Sequence, residues 1–417
     1  MKKIAFVSAV LVLSVFFGHF AAAQEAAAPS EPAQAASAVE AAPEAANQPA
    51  AAPAATEPAP ASEANAPAED PMLAQVAPAK TPGAEVPVVE VPAPLTKATL
   101  LVKLPEICPT PDAFVLAPWG DLLLSCPNFA DTSNPPVILS ISPDNKVRLW
   151  AMCPVDPKTG AAGPMGMAFG PDGNLYIADN VGWKDGKVGR ILRLIVNDQH
   201  RPVGAEVVAY GLGHPNGVRI QNGFIYVTNS ITEVSEDGKL FSSVFRFPLD
   251  AKNVKVTNSI SDPNVLLNVQ TENPKNQYGL DGICFDKDGN LYLGNFGDGV
   301  VLKVTFDAEG KPSEPVVFAK DPQLKTVDGL IAGTDGNLYL CDFAVNSVKM
   351  VKPDGTVVNV AQNGDTNGAN GELDQPGDLI QRGNELIISN FDAVTGGGNV
   401  NTAHDEPHTI SVIKLDF

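Results

Sequence analysis

The sequence contains six copies of one short pattern, and this repetition constrains the fold more than any other feature. Each copy has an apolar strand, a tight turn that contains glycine, and a second strand that usually ends in Asp or Asn. The clearest copies are PMGMAFGPDGNLYIADN from Pro164, HPNGVRIQNGFIYVTNS from His214, LDGICFDKDGNLYLGNF from Leu280 and VDGLIAGTDGNLYLCDF from Val327. Weaker copies begin at Thr110 and Gln375. Units of short strands that recur about every 50 residues are typical of a β-propeller.

The last copy supplies three of the four strands that a propeller blade requires. Its third strand is predicted over residues 409–416, and nothing after it can form a fourth. Residues 98–104 (ATLLVKL) have the composition of a strand and no local partner. Pairing these two segments hides both sheet edges. We therefore predict an all-β, six-bladed β-propeller over residues 97–417 that is closed by an N-terminal strand, and we expect it to be a monomer.

Two segments precede the predicted propeller. Residues 1–23 combine two lysines, an apolar run and three alanines before Gln24, which is typical of a signal peptide. Residues 24–96 are rich in Ala, Pro and Glu and predict a disordered linker. We expect an exported protein, periplasmic or extracellular, with no membrane span after signal cleavage. An uncleaved anchor is the alternative, because residues 4–23 are nearly long enough to span a bilayer.

The charge of the chain limits its partners. The formal net charge is −20, and no cluster of basic residues is present to neutralise phosphates, so we expect no binding to nucleic acid. No G-x-S-x-G, H-E-x-x-H or P-loop motif occurs. An acidic surface is compatible with a cation site, although acidity alone often serves solubility.

Tight turns indicate which face of the propeller carries function. Turns such as Asp172-Gly173 and Asp335-Gly336 join first to second strands and must lie on one face. The other face carries the residues that precede each innermost strand and the long loops 179–189, 229–242 and 390–408. Functional residues are expected on that face, because binding sites are usually built from variable loops on a rigid scaffold. The pattern of these loops does not indicate a particular substrate.

The residue that begins each innermost strand should point toward the propeller axis. In blade order these residues are Asp112, Met165, Asn216, Asp281, Asp328 and Pro376. Converging carboxylates repel one another, which a divalent cation would relieve. Oxygen ligands without Cys or His favour Ca²⁺ over zinc or copper. The alternative is that Asp and Asn at these positions only shape turns.

These motifs resemble the family of senescence marker protein, gluconolactonase and luciferin-regenerating enzyme, which are six-bladed propellers with a central Ca²⁺. The resemblance covers about residues 97–417 and implies a Ca²⁺-dependent hydrolase of a small-molecule lactone or ester. It implies four metal ligands: Asp112, Asn216, Asp281 and Asp328. Asp112 stands where the family has Glu, and Asp281 stands where it has Asn. Asp328 matches the general base of the family, and Asp281 is the second candidate.

Two alternatives remain open at this point. In another alignment with the family, Asp281 is the final Asp and Met165 occupies an Asn position, but Met is a poor ligand for a hard cation. Alternatively, the protein is not an enzyme and the same face binds a sugar or a protein partner, with a structural metal, since one fold hosts many functions.

Three further groups of residues are candidates for supporting roles. The second strands end in polar residues that cap loops or orient the metal ligands, and Asn295 and Asp342 are the strongest candidates for the second role. His404 and His408, in the last long loop, are candidate acid or base groups. Five cysteines in an exported chain predict one disulfide, which is most plausible among Cys108, Cys126 and Cys153, and buried free thiols at Cys284 and Cys341.

Overall fold

The structure is a computed structural model that describes residues 95–181, 187–394 and 399–415. The predicted signal peptide and nearly all of the predicted linker lie outside these ranges. Within them the chain forms 25 β-strands and one short 3₁₀ helix, Phe343–Val345. No helix among the described residues has the length and hydropathy needed to cross a membrane.

The first half of the propeller consists of three blades, each a sheet of antiparallel strands. Blade one contains β2 (Phe114–Leu116), β3 (Leu122–Cys126), β4 (Val137–Ile141) and β5 (Val147–Met152). Blade two contains β6 (Pro164–Phe169), β7 (Leu175–Asp179), β8 (Gly189–Val196) and β9 (Pro202–Leu212). Blade three contains β10 (Pro215–Gln221), β11 (Phe224–Val234), β12 (Leu240–Pro248) and β14 (Val265–Thr271). A two-residue strand, β13 (Val254–Lys255), pairs in parallel with β9 and extends blade two to five strands.

The second half contains the remaining three blades. Blade four contains β15 (Leu280–Phe285), β16 (Leu291–Asn295), β17 (Val300–Val304) and β18 (Val316–Lys320). Blade five contains β19 (Leu330–Ala332), β20 (Leu338–Asp342), β21 (Ser347–Val351) and β22 (Val357–Gln362). Blade six contains β23 (Pro376–Arg382), β24 (Glu385–Asn390), β25 (Thr409–Lys414) and, at its outer edge, β1 (Thr99–Lys103). The all-β, six-bladed architecture predicted from the repeats is confirmed.

The N-terminal strand closes the ring as the sequence predicted. β1 pairs antiparallel with β25, with Thr99 opposite Val412 and Lys103 opposite Thr409. β25 therefore has a partner strand on each side, β24 and β1, so the blade does not end in an exposed edge at β25.

The hydrophobic core lies between the blades, in six clusters. Each cluster joins residues of two neighbouring blades; for example, Met165 and Phe245 belong to the cluster between blades two and three. The cluster between blades six and one joins Ile387 and Ile410 to Leu124 and Ile141. The core is thus continuous around the ring, and the inner ends of the blades are held at fixed positions around the axis.

One disulfide joins Cys108, which precedes blade one, to Cys126 at the end of β3. This confirms the prediction of a pair among the first three cysteines. Cys153, Cys284 and Cys341 are buried free thiols, as the sequence also predicted for the last two.

Candidate functional site

Residues from the innermost strands of the blades enclose a small cavity where these strands meet. Its volume of about 20 Å³ suits one water molecule or one ion, because roughly 10–15 Å³ is needed to hold a water. All four of the predicted metal ligands line it. Its charged and amide side chains are Asp112, Asn216, Arg219, Asp281, Asp328 and Asp378.

Asp378 is an acidic residue that the sequence analysis missed, and Pro376 was wrongly assigned as the axial residue of blade six. Pro376 pairs with Asn390, as Leu280 of blade four pairs with Asn295. The equivalent of Asp281 is therefore Gly377, one position later than predicted. The signal that could have revealed Asp378 is the motif QPGDL, in which glycine precedes the acid and does not follow it.

Met165 occupies the axial position of blade two but does not contribute to the cavity. Its side chain is buried in the apolar cluster between blades two and three. Blade two contributes only Gly166 to the cavity wall. The polar residues therefore come from the other five blades.

Glycines beside the axis allow the inner strands to approach closely. A Cβ on Gly282 would lie 2.3 Å from the backbone oxygen of Asp328, and a Cβ on Gly166 would lie 2.5 Å from that of Asn216. In the Asp-Gly and Asn-Gly pairs of the motif, the polar residue is therefore followed by a position that has no room for a side chain. Gly329 extends the pattern, because its missing Cβ leaves space for the carboxylate of Asp378.

We expect Gly329→Ala to destabilise the propeller. The new Cβ would lie 2.1 Å from Asp378 Oδ1 and 2.7 Å from its Cα, and such overpacking costs about 1–3 kcal/mol of the free energy of unfolding. Gly364→Ala is the matched control, since no atom lies within 4 Å of the Cβ it would add. Urea denaturation of both variants measures the difference; equal midpoints would contradict the close packing at the axis.

Burial raises the pKa of every carboxyl group in the cavity. The pKa of Asp112 is raised well above its usual range by burial and by the charges of Asp281 and Asp378. Burial and the neighbouring Asp281 also raise the pKa of Asp328 well above its usual range. These directions show that the cavity disfavours negative charge when no cation offsets it.

Asp281 and Asp328 form the most tightly coupled pair of the cluster. Each carboxyl group shifts the pKa of the other, as expected for two buried acids that share one proton when no cation lies between them. Asp281 is only 4% exposed, whereas Asp328 is partly exposed. Asp328 is thus the acidic residue of the cavity with the best access to solvent.

Asp378 differs from the other three acids because it has additional partners. Its Oδ2 accepts a hydrogen bond of 2.9 Å from the backbone N–H of Phe114. Burial raises the pKa of Asp378 to about 6, while the guanidinium of Arg219 and the Phe114 N–H oppose this rise. Arg219 is the only cationic side chain among the residues that line the cavity, so the cluster retains an excess of acidic groups.

Tyr278 is a second residue that the sequence analysis missed. Burial and the charge of Asp281 raise its pKa, and the nearby side chains of Ser230 and of the predicted ligand Asn216 oppose the rise. A hydroxyl in this position can fix the orientation of the Asn216 carboxamide. Its position in YGLDG, three residues before Asp281, was the available signal.

Aromatic rings form a series of contacts on the loop side of the acidic cluster. Phe391 lies against Gly377, close to Asp112, and its ring centroid is 5.7 Å from that of Phe343. The series continues through Phe296 to Tyr278, with centroid separations of 5.5 Å at both steps. An apolar wall therefore borders the polar cavity, which is the usual composition of a small-molecule site.

Asn295 and Asp342 cap loops, and their hydrogen-bond partners are not the predicted metal ligands. Asn295 Oδ1 accepts a hydrogen bond from the Asp298 N–H. Asp342 accepts hydrogen bonds of 2.9 Å from the N–H groups of Lys325 and Thr326. These contacts fit the capping interpretation of polar residues at strand ends.

His404 and His408 do not line the axial cavity. They lie beside Asp392 and line a separate cavity of about 490 Å³ between the last long loop and blade one. The structure therefore does not bring these histidines together with Asp281 and Asp328.

Comparison with solved structures finds chains that are similar to this one. A luciferin-regenerating enzyme superimposes with a TM-score of 0.52 at 12% identity, over 77% of this chain and 97% of its own. A calcium-binding regucalcin from Agrobacterium tumefaciens has a TM-score of 0.49 at 12% identity, over 77% and 96% of the two chains. A gluconolactonase from Xanthomonas campestris has a TM-score of 0.44 at 15% identity, over 78% and 99%. The likeness to the first confirms, for the fold, the resemblance that the motifs indicated.

No protein-family model and no curated protein matches the chain in sequence.

Proposed function

We propose that the axial cavity binds one divalent cation, most favourably Ca²⁺, and that the bound ion supports hydrolysis of a lactone or ester. The observation that carries this proposal is the convergence of four carboxyl groups and one carboxamide on a cavity the size of a single ion. Ca²⁺ prefers such oxygen ligands, and an all-oxygen site excludes the softer metals.

The side chains of Asp112, Asn216, Asp281 and Asp328 would hold the ion. Asp378 is the fourth acidic group, and the hydrogen bond it accepts from the Phe114 N–H and its proximity to Arg219 suit it to a supporting role. The Tyr278 hydroxyl, which lies near Asn216, would help to keep the oxygen of that side chain directed at the ion.

In the proposed chemistry the ion and Asp328 have different roles. A bound Ca²⁺ would polarise the substrate carbonyl and would keep the carboxyl groups of the cavity ionised. Asp328, the least buried acid of the cavity, would then accept a proton from the attacking water, with Asp281 beside it as a ligand of the ion. The aromatic wall on the loop side excludes water from the apolar part of the substrate.

The fold comparisons agree with this proposal without identifying the substrate. The names of two of these proteins correspond to the two parts of the proposed function. One is a gluconolactonase, which matches a lactone substrate, and the other is a calcium-binding regucalcin, which matches a bound calcium ion. We therefore propose a small-molecule substrate and no nucleic-acid partner.

A structural metal in a non-enzymatic binding propeller is the second candidate. The observation that favours it is the size of the cavity, since about 20 Å³ admits an ion but no part of a substrate. Hydrolysis then requires the carbonyl to approach from the loop side, beside Asp328 and the aromatic wall.

We expect EDTA to lower the melting temperature and to abolish hydrolysis, and Ca²⁺ to restore both. A ligand that binds only the native state stabilises it by about 2.7 kcal/mol at 100 times its dissociation constant. The measurements are calorimetry and a screen of lactones and esters, each with EDTA and with excess Ca²⁺. Stabilisation by Ca²⁺ without hydrolysis of any substrate would favour the structural metal. Identical calorimetric scans, with no metal in the purified protein, would contradict both candidates.

The metal-free protein should also lose stability as the pH rises. The acidic groups of the cavity have pKa values raised above those of the unfolded chain, to about 6 for Asp378. The native state therefore binds more protons than the unfolded state, and this advantage disappears as the pH rises from about 4 through the raised pKa values. In EDTA the melting temperature should fall over this range, and saturating Ca²⁺ should remove most of the decrease.

We also propose that the protein is exported. The leader-like residues 1–23 motivate this proposal, and the Cys108–Cys126 disulfide supports it because such bonds persist mainly in oxidising compartments. Fractionation of cells that express the full chain, with size analysis of the mature product, tests export and cleavage together.

A further inference from the structure

We propose that the last long loop contains a second metal site, formed by Asp392, His404 and His408, for a transition-metal ion of the Zn²⁺ class. This site is chemically distinct from the axial cluster and does not depend on the proposed hydrolase activity. Two imidazoles and one carboxylate are ligands that zinc uses in proteins, whereas Ca²⁺ takes oxygen ligands.

The three side chains lie close to the arrangement that one ion requires. One ligand atom from each lies within 4.8 Å of the others, whereas two atoms bound to one ion at about 2.0–2.2 Å are at most about 4.4 Å apart, so a small shift of the side chains would complete the site. His404 Nδ1 lies 3.5 Å and His408 Nδ1 lies 3.4 Å from Asp392 Oδ2. The two imidazole rings are nearly parallel, with centroids 4.8 Å apart.

The backbone of the loop fixes the direction of these groups. His404 Nδ1 also contacts the backbone oxygen of Asp392. A metal-binding histidine commonly donates one ring N–H to a carbonyl or carboxylate, which sets its tautomer, so His404 would bind the ion through its other nitrogen, Nε2. The N–H of Asp405 donates to Asp392 Oδ2 at 3.1 Å, so the carboxylate is held in place from the same segment.

Buried atoms without partners provide independent support for a missing ligand. Asp374 Oδ1, Asn401 Oδ1 and His408 Nδ1 are buried and have no hydrogen-bond partner among the described residues. Asn401 belongs to this cluster, because its Nδ2 donates to Asp392 Oδ1 at 3.3 Å. Asp374 and Asn401 are only 2% and 4% exposed. Polar atoms buried to this degree normally have hydrogen-bond partners, and a bound ion is one of the few explanations for an exception.

Charge and access also favour a cation at this position. Two further carboxylates, Asp365 and Asp405, lie near Asp374 and Asp392. The two histidines line the cavity of about 490 Å³ that they share with Glu106 and Asp131 of the blade-one side. Solvent can therefore supply a remaining ligand, and an ion bound here would hold the loop that follows β24 in a fixed conformation.

The test uses the full chain saturated with Ca²⁺, so that the axial site does not compete. After equilibrium dialysis with Zn²⁺, elemental analysis should find one zinc per chain in the wild type. The double variant His404→Ala, His408→Ala should bind at least tenfold more weakly, since loss of ligands or of their supporting partners typically costs 10–100-fold in affinity. The matched control is His200→Asn, which removes an imidazole from a distant turn and suits the positive φ of 59° at that position.

Co²⁺ gives a second measurement that does not require the variants to fold. Bound to the wild type, it should show visible absorption bands typical of nitrogen and oxygen ligands, and one equivalent of Zn²⁺ should remove them. No zinc retained by the Ca²⁺-saturated wild type, or equal zinc in the wild type and a folded double variant, would overturn the proposal. Loss of zinc binding only in the double variant, with the calcium response of the axial site intact, would establish it.

Discussion

Asp328→Asn is expected to reduce kcat for lactone or ester hydrolysis by roughly two to four orders of magnitude, while the protein retains its metal. The amide keeps an oxygen for Ca²⁺ but cannot accept a proton, and the loss of a general base has about this effect. Asp328 is the acid of the cavity with the best access to solvent, so an attacking water can reach it. The measurements are kcat and metal content on the substrate that the screen identifies.

Two further variants separate the base from the ligands. Asn216→Ala removes an oxygen ligand, so metal content and activity should fall together. Tyr278→Phe removes the hydroxyl that contacts Asn216, so it should weaken metal binding without removing the proton acceptor. Full activity of Asp328→Asn would transfer the role of base to Asp281 or another group.

The repeat pattern predicted regular strands closely. The second strands of the copies from Leu280 and Val327, expected to end in Asn or Asp, coincide with β16 and β20, which end at Asn295 and Asp342. Each combines apolar residues with a turn whose chemistry defines its end, as at Gly336, where φ is 85°. The bounds of a strand can be predicted from the local sequence where the strand adjoins a turn whose backbone conformation favours Gly.

The candidate site could be predicted only where the polar residue occupies the same position in each blade. Asp112, Asn216, Asp281 and Asp328 line the cavity from equivalent positions, at or just before the start of the innermost strand. Blade six has the same strand pairing, with Pro376 opposite Asn390 as Leu280 is opposite Asn295, but glycine occupies the equivalent position and Asp378 follows it. Because side chains alternate between the two faces of a strand, an acid displaced by one residue was not expected at the axis.

Residues that act through long-range contacts were not predictable from local patterns. Tyr278 and the phenylalanines that follow the second strands form a wall only because the ring brings blades four, five and six together. Asp392 meets His404 and His408 through a loop whose conformation the pattern of residues does not specify. The fold places these groups, and the sequence shows only that they are present.

Deletion of residues 98–104 is expected to destabilise the entire propeller. β1 is the outer strand of blade six, and Leu101 and Val102 pack against the cluster between blades six and one. Ala98 packs in the cluster between blades five and six. Without this strand, β25 has an unpaired edge, and two of the six interblade clusters lose residues that pack in them.

The loss should be a large fraction of the roughly 5–15 kcal/mol that stabilises a typical domain, and the exposed edge should promote aggregation. Deletion of residues 25–78 is the matched control, because an Ala/Pro-rich linker has no core to lose, so its melting transition should equal that of the intact chain. Calorimetry and light scattering of the two truncated proteins decide the matter. If both truncations melt at the same temperature, the ring does not depend on its N-terminal strand, and the interblade clusters alone stabilise it.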